Sequence, residues 1–180
     1  MDARMDRRSF LKNAALAGAA LVVAPVALGT VEPQTALAET TSGTMTANVW
    51  VKPTGAPAIA IGTNNVAYLT NATTPSGITG PFPTSPVEDN ATYVDDGTTL
   101  TVTIPLENTM FKLTGIGQWT SGAMKIDQAA TEACNDGDRY TALVVTAPSG
   151  TTGTFQFEAT EYAGFYLFAG TKTWPINIVL

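Results

Sequence analysis

Beyond residue 40, apolar and polar residues alternate with period two in a series of short runs, the pattern of strands with one buried face. Thr44–Val51 reads TMTANVWV and places Met45, Ala47, Val49 and Val51 on one side. Thr98–Leu106 reads TTLTVTIPL, with Leu100, Val102 and Ile104 facing in and threonines facing out. Between ATYV and that run stands Asp95-Asp96-Gly97. Asp-Gly closes a tight hairpin because glycine accepts the positive φ the turn demands. TMFKLTGI, AMKID, RYTALVVTA, TFQFEAT and WPINIVL continue the series, separated by clusters of Gly, Pro, Asn and Asp. Threonine with Val, Ile, Tyr and Phe is a strand-forming palette. Only Asp127–Cys134 is helical in pattern, and it is short. The chain is therefore predicted to be all-β, an immunoglobulin-like antiparallel β-sandwich of about eight or nine strands, with a jelly roll as the other arrangement.

Two stretches depart from this rhythm. Thr70–Asp89 reads TNATTPSGITGPFPTSPVED, and its four prolines deny it a central ladder position. It is expected to form a loop on one rim, either an ornamented crossover or a segment lying over a site with Ile78 and Phe82 as anchors. The other stretch is the N-terminus. DRRSFLK (Asp6–Lys12) precedes an Ala- and Gly-heavy apolar run interrupted by Pro25, and Ala36-Leu37-Ala38 follows. Basic flank, apolar run and small-residue cleavage site, in that order, make an export signal, and the paired arginines mark it as the twin-arginine kind. Cleavage is expected before Glu39. Residues 1–38 are then a signal segment and residues 39–180 a single domain. The interrupted run is a poor membrane anchor, so the product is expected in the cell envelope or outside the cell, with no stable membrane insertion.

Charge narrows the partners. Beyond residue 38 there are twelve acidic and five basic side chains, a net charge of −7. Nucleic acids and anionic membranes reward clustered Lys and Arg, so neither is expected as a partner. The chain has no histidine. Histidine-based nucleophile systems cannot be built from it, nor can histidine-bearing zinc or iron sites. Asp127, Glu158 and Glu161 are the carboxylates that a glycosidase-type pair would have to draw on, but chain spacing does not bring them together. A non-enzymatic protein is the expectation.

Two acidic turns, Asp95-Asp96-Gly97 and Asn135-Asp136-Gly137-Asp138, read as hairpin turns. For calcium, Glu132 with Asp136 and Asp138 comes nearest, without the spread of ligands a binding loop offers. Cys134 is the one cysteine and is expected half-buried and inert, an exposed thiol pairing between chains being the alternative.

The remaining lead is aromatic. In TFQFEATEYAGFYLF, alternation puts Phe155, Phe157 and Ala159 inward and Gln156, Glu158, Thr160 and Tyr162 on the opposite face. A bend or bulge is expected near Gly164. On a continuous strand Tyr166 shares the face of Tyr162, and Trp174 joins them across a hairpin at Ala169–Lys172. An exposed strip of this kind suits a small planar or sugar-like ligand or a protein partner. Ordinary packing of the second sheet face would give the same pattern.

TMTANVWV at the start of the domain, DGTTLTVTIPL followed by MFKLTG, and the late Tyr-x-x-x-Tyr of Tyr162 and Tyr166 together resemble the NEAT family. The likeness spreads diffusely over residues 43–180. NEAT modules are immunoglobulin-like and bind haem or haemoproteins. The resemblance implies haem as cofactor, with Tyr162 as the iron ligand and Tyr166 as its hydrogen-bonding support. It implies a lip over the haem within Ala56–Tyr68 or the Pro-rich segment. Tyrosine is a haem ligand that needs no histidine. In that family, however, the tyrosine strand closes the domain, whereas here fourteen residues follow Tyr166. The expected function is a secreted binding module; the alternative is a structural or accessory envelope protein, such as a subunit exported with a redox enzyme.

Overall fold

The computed structural model describes residues 39–54, 66–72, 86–109, 111–163 and 173–180, with 159–163 described by their backbone alone. The expected export signal, Ile78, Phe82, most of the expected lip, Tyr166 and the side chain of Tyr162 lie outside what is described.

Strands make up almost all of the regular structure. They are β1 (Thr41–Met45), β2 (Asn48–Val51), β3 (Ala67–Tyr68), β4 (Ala91–Asp95), β5 (Thr99–Pro105) and β6 (Lys112–Ile116). There follow β7 (Thr120–Ser121), β8 (Met124–Ile126), β9 (Ala142–Pro148), β10 (Thr154–Phe157), β11 (Ala159–Ala163) and β12 (Ile176–Val179). A six-stranded sheet runs β1-β4-β5-β9-β8-β7, a four-stranded sheet runs β10-β12-β2-β3, and β11 pairs with β6 as a two-stranded ribbon. Every pairing is antiparallel. The fold is the antiparallel all-β sandwich that the alternation predicts, cut into more and shorter strands than expected.

The core follows from the alternation. Leu100, Val102 and Ile104 of β5 pair with Ala147, Val145 and Leu143 of β9, and all six are buried. From the other sheet come Val49, Val51, Phe157, Ile176 and Ile178, each 0 % exposed. Phe111, Leu113 and Ile116 extend the same cluster from β6 and the segment before it. A side chain of this size contributes about 1.5–3 kcal/mol on burial, so the two inner faces hold the layers together.

Two of the extra strands come from chain crossings between sheets, and the other two are the short β3 and β7. TMTANVWV is one run in the sequence but two strands in the fold: β1 edges the six-stranded sheet and β2 lies within the four-stranded one. The alternation survives the crossing, since Met45 packs against the core and Ala47, Val49 and Val51 are buried within it. Two long-range hydrogen bonds hold the crossing: Ala47 N donates to Asn90 Oδ1 (3.1 Å) and Asp89 N donates to Thr46 Oγ1 (3.0 Å). A second crossing separates β10 from β11 at Glu158.

The Asp95–Gly97 hairpin forms as expected. Gly97 takes φ +83°. Asp96 Oδ1 accepts from the backbone N–H groups of Thr98 and Thr99 at 2.8 and 2.7 Å, and Asp95 Oδ1 accepts from Gly97 N at 2.8 Å. The helical patch is α1 (Gln128–Ala133), capped by Asp127, whose carboxylate accepts from Ala130 N. Its one buried residue, Thr131, accepts through Oγ1 from Val144 N, tying α1 to β9.

Candidate binding site

Ladder register brings the expected site to one end of the four-stranded sheet. Val51 of β2 pairs with Ile176 of β12, and Ile176 pairs with Phe157 of β10. The residues that follow Val51 and Phe157 therefore meet those that precede Ile176. Here the Trp174 indole N–H donates to Thr54 Oγ1 at 3.2 Å, and its ring meets Phe111 edge-on with centroids 6.1 Å apart. Glu158, Thr173 and Pro175, with an edge of Trp174, line an open cavity of about 170 Å³.

Trp174 is 5 % exposed, so it is a core side chain and not a ring in an exposed strip. The sequence could not reveal that its indole would find both an aromatic neighbour and a hydroxyl acceptor in this corner. The run from Thr154 to Ala163 is also two strands, β10 and β11, in place of one. Phe157 is buried, Phe155 packs against the core, and Gln156 and Glu158 are exposed, as alternation requires. The chain then changes partners. The carbonyl of Glu158 accepts from Gly117 N (2.9 Å) and Gln118 N (3.2 Å), and β11 continues along β6. Its register slips between Ala159 and Glu161 and again between Glu161 and Tyr162, placing Tyr162 opposite Leu113. These irregularities precede the Gly164 position where the bend was expected. Counting in twos from Phe155 cannot carry a facing assignment across them.

The aspartates of the acidic turns are engaged in structure. Asp136 pairs with Arg139 (Nε to Oδ2, 2.9 Å), whose Nη1 also donates to the Leu106 carbonyl at 3.1 Å. Asp138 lies 3.6 Å from Lys112 Nζ. Among the described residues no three of His, Cys, Asp or Glu gather as a metal site would require. Asp127 caps α1, while Glu158 stands at the end of the other sheet; the side chain of Glu161 is outside the described set. Cys134 is a half-buried free thiol, as expected. Hydrogen bonds from the Thr98 and Thr99 backbone hold the fully exposed Asp96 carboxyl below its ordinary pKa. Burial, followed by the charge of Glu132, raises the Tyr140 phenol.

A second constellation escaped the sequence reading. Register aligns Gln156, Asn177, Trp50 and Tyr68 in one row across β10, β12, β2 and β3. Each is flanked along its strand by residues that are buried or packed against the core, so the row lies on the outer face of the four-stranded sheet. Trp50 and Tyr68 are half-buried and Gln156 is exposed. Asn177 is 7 % exposed, and its Oδ1 receives Gln156 Nε2 at 3.4 Å. Parity alone puts Trp50 and Asn177 on the outward side of their runs. Their adjacency is decided by strand order, which no local pattern encodes.

Beside the row, a polar clasp fixes the feet of the Pro-rich segment. Asn48, 4 % exposed, donates through Nδ2 to the Val87 carbonyl (2.9 Å). Its Oδ1 accepts from Val87 N (2.9 Å) and Thr70 Oγ1 (2.7 Å). Comparison with family models, curated proteins and solved structures finds no match for this chain.

Proposed function

We propose that this is an exported, non-enzymatic binding module whose ligand seat is the end of the sandwich around Glu158, Trp174 and Pro175. The observation that supports it is the open cavity beside a strand with two register slips, since bulged strands re-aim side chains at sites. Haem is the ligand the NEAT resemblance suggests, with Tyr162 on iron and Tyr166 supporting it. The described side chains do not by themselves fit a haem. Their cavity of about 170 Å³ is smaller than pockets for ligands of drug size, about 300–1,000 Å³, and the Trp174 indole N–H is already bonded to Thr54. The haem reading therefore rests on the tyrosine pair and the resemblance alone. Titration of the purified protein with hemin tests it. A Soret shift in the wild type that disappears in Tyr162→Ala supports it, and an unchanged hemin spectrum ends it.

A second reading, an accessory protein exported with a larger partner, is favoured by β1. This edge strand carries no charge, contains no proline, keeps a regular register with β4 and has four of its five residues exposed. Such an edge is a template for strand addition. Copurification of a stoichiometric partner from the native source, lost when Gly43→Pro blocks the edge, supports this reading.

A further inference from the structure

We infer that the open cavity at the end of the four-stranded sheet takes the tip of an unbranched alkylammonium chain, with the Glu158 carboxylate as its counter-ion and Trp174 and Pro175 as its apolar walls. The inference rests on the reading of this corner as the ligand seat, and not on haem.

The cavity is built from fixed parts. Its floor is an edge of Trp174, which is 5 % exposed and held by Phe111 and by the hydrogen bond to Thr54. Glu158, Thr173 and Pro175 stand around that floor, and all three are exposed. Pro175 has a fixed φ and no N–H, so it presents a ring without a donor. Glu158 sits where the chain passes from β10 to β11, and its carbonyl accepts from Gly117 N and Gln118 N. Its backbone is therefore held by bonds in which its side chain has no part. Walls ordered before a ligand arrives spare it the cost of ordering them.

Charge and size name the occupant. Among the described residues that line the cavity, Glu158 is the one ionisable group. The carboxylates of Asp95, Asp96, Asp127, Asp136 and Asp138 all have partners, whereas that of Glu158 has none among the described residues. An alkylammonium ion matches both halves of this corner. Its charge meets the carboxylate while its methylenes cover the indole edge and the proline ring, as a lysine stem covers apolar surface. The net −7 beyond residue 38 draws cations and repels anions. A bare metal ion is not matched, because calcium takes six to eight oxygens and the cavity offers one carboxylate. A volume of about 170 Å³ suits the end of a chain and not a ligand of drug size.

Amide and indole N–H spectra of the isotope-labelled protein, titrated with pentylammonium, pentanol and pentanoate, test the inference. The three probes have equal length and differ in charge. Pentylammonium should shift the Trp174 indole N–H and the Thr173 amide, pentanol more weakly, and pentanoate not at all. Glu158→Gln should weaken pentylammonium about threefold to fivefold, as loss of an exposed ion pair does, and Glu158→Lys should abolish its binding and admit pentanoate. Both variants change an exposed side chain and keep the backbone bonds at that position. Raising the ionic strength from about 0.01 M to about 1 M should weaken pentylammonium and leave pentanol unchanged. Nα-acetyl-lysine amide and pentanediamine then separate the two sources of the group, a peptide side chain and a free diamine, by which binds more tightly. Equal shifts from all three probes, or pentylammonium binding that survives Glu158→Lys, overturn the inference and keep the corner as a seat. No shift from any probe also overturns it, and hemin leaving the same signals unmoved would remove the seat as well.

Discussion

The two sheets of this sandwich have similar inner faces and very different outer ones. On the six-stranded sheet, one outer row runs Ser42, Val94, Thr101, Thr146, Lys125 and the next runs Thr44, Thr92, Thr103, Val144. Six of these nine are serine or threonine, whose hydroxyls satisfy themselves in water. On the four-stranded sheet the corresponding row is Gln156, Asn177, Trp50, Tyr68, all large and capable of directed hydrogen bonds. The same period-two rule built both faces. A threonine wall is what a strand needs in order to be half-exposed, whereas the second row packs larger aromatic and amide side chains side by side.

The largest effect that would sharpen the contrast lies beneath the second row. Phe157→Ala empties a fully buried position between the layers and should cost about 3–5 kcal/mol, measured by urea unfolding. A loss below about 1 kcal/mol would mean the four-stranded sheet is not anchored through its inner face.

Next comes the clasp at the edge of that face. Asn48→Ala leaves Val87 and Thr70 without their shared partner and should destabilise by about 2–3 kcal/mol. Amide exchange should accelerate at Val87, whose N–H loses its acceptor. If exchange there is unchanged, the clasp is not what fixes the feet of the Pro-rich segment.

The direct comparison of outer faces uses one valine on each. Asn177→Val replaces an amide held only by a 3.4 Å contact from Gln156 with a strand-forming side chain at a 7 % exposed position, and should stabilise by about 0.5–1 kcal/mol. Thr101→Val, on the threonine wall, should stay within about 0.5 kcal/mol of wild type. Destabilisation by Asn177→Val would show that the amide serves the fold, and the two faces would then differ only in size.

The smallest effect is a pH dependence on the side of Trp119 and Tyr140, whose rings meet edge-on at 6.4 Å. Burial raises the Tyr140 pKa above its unfolded value, so the folded state favours the neutral phenol. That contribution is complete below pH about 10 and is lost as pH rises through the folded-state value. Tyr140→Phe should therefore flatten the alkaline fall in stability. Equal slopes for variant and wild type would remove Tyr140 as its cause.

Different parts of the molecule were unequally legible in the chain. The Asp95–Gly97 hairpin was fully local: a carboxylate accepts from backbone N–H groups two and three residues on, and a glycine takes a positive φ. The inward set of β5 and the short α1 were equally local, one fixed by alternation and the other by its cap. Trp174 was not, because its burial depends on Phe111 and Thr54, 63 and 120 residues away in the chain. The aromatic strip misled for a related reason. TFQFEAT gives no sign that the chain leaves one sheet at Glu158 and joins another.

By itself, then, the sequence determined which residues face in along the regular strands, where the Asp95–Gly97 turn falls and that the product is a charge-poor antiparallel sandwich. These depend on the two-residue period of a strand and on backbone sterics, which act over a few residues. Tertiary structure decided where runs cross between sheets, which strands adjoin, and so which outward side chains stand in a row. Those outcomes depend on pairing segments more than a hundred residues apart, such as β2 with β12, and alternation is silent about which of several compatible partners a strand will take.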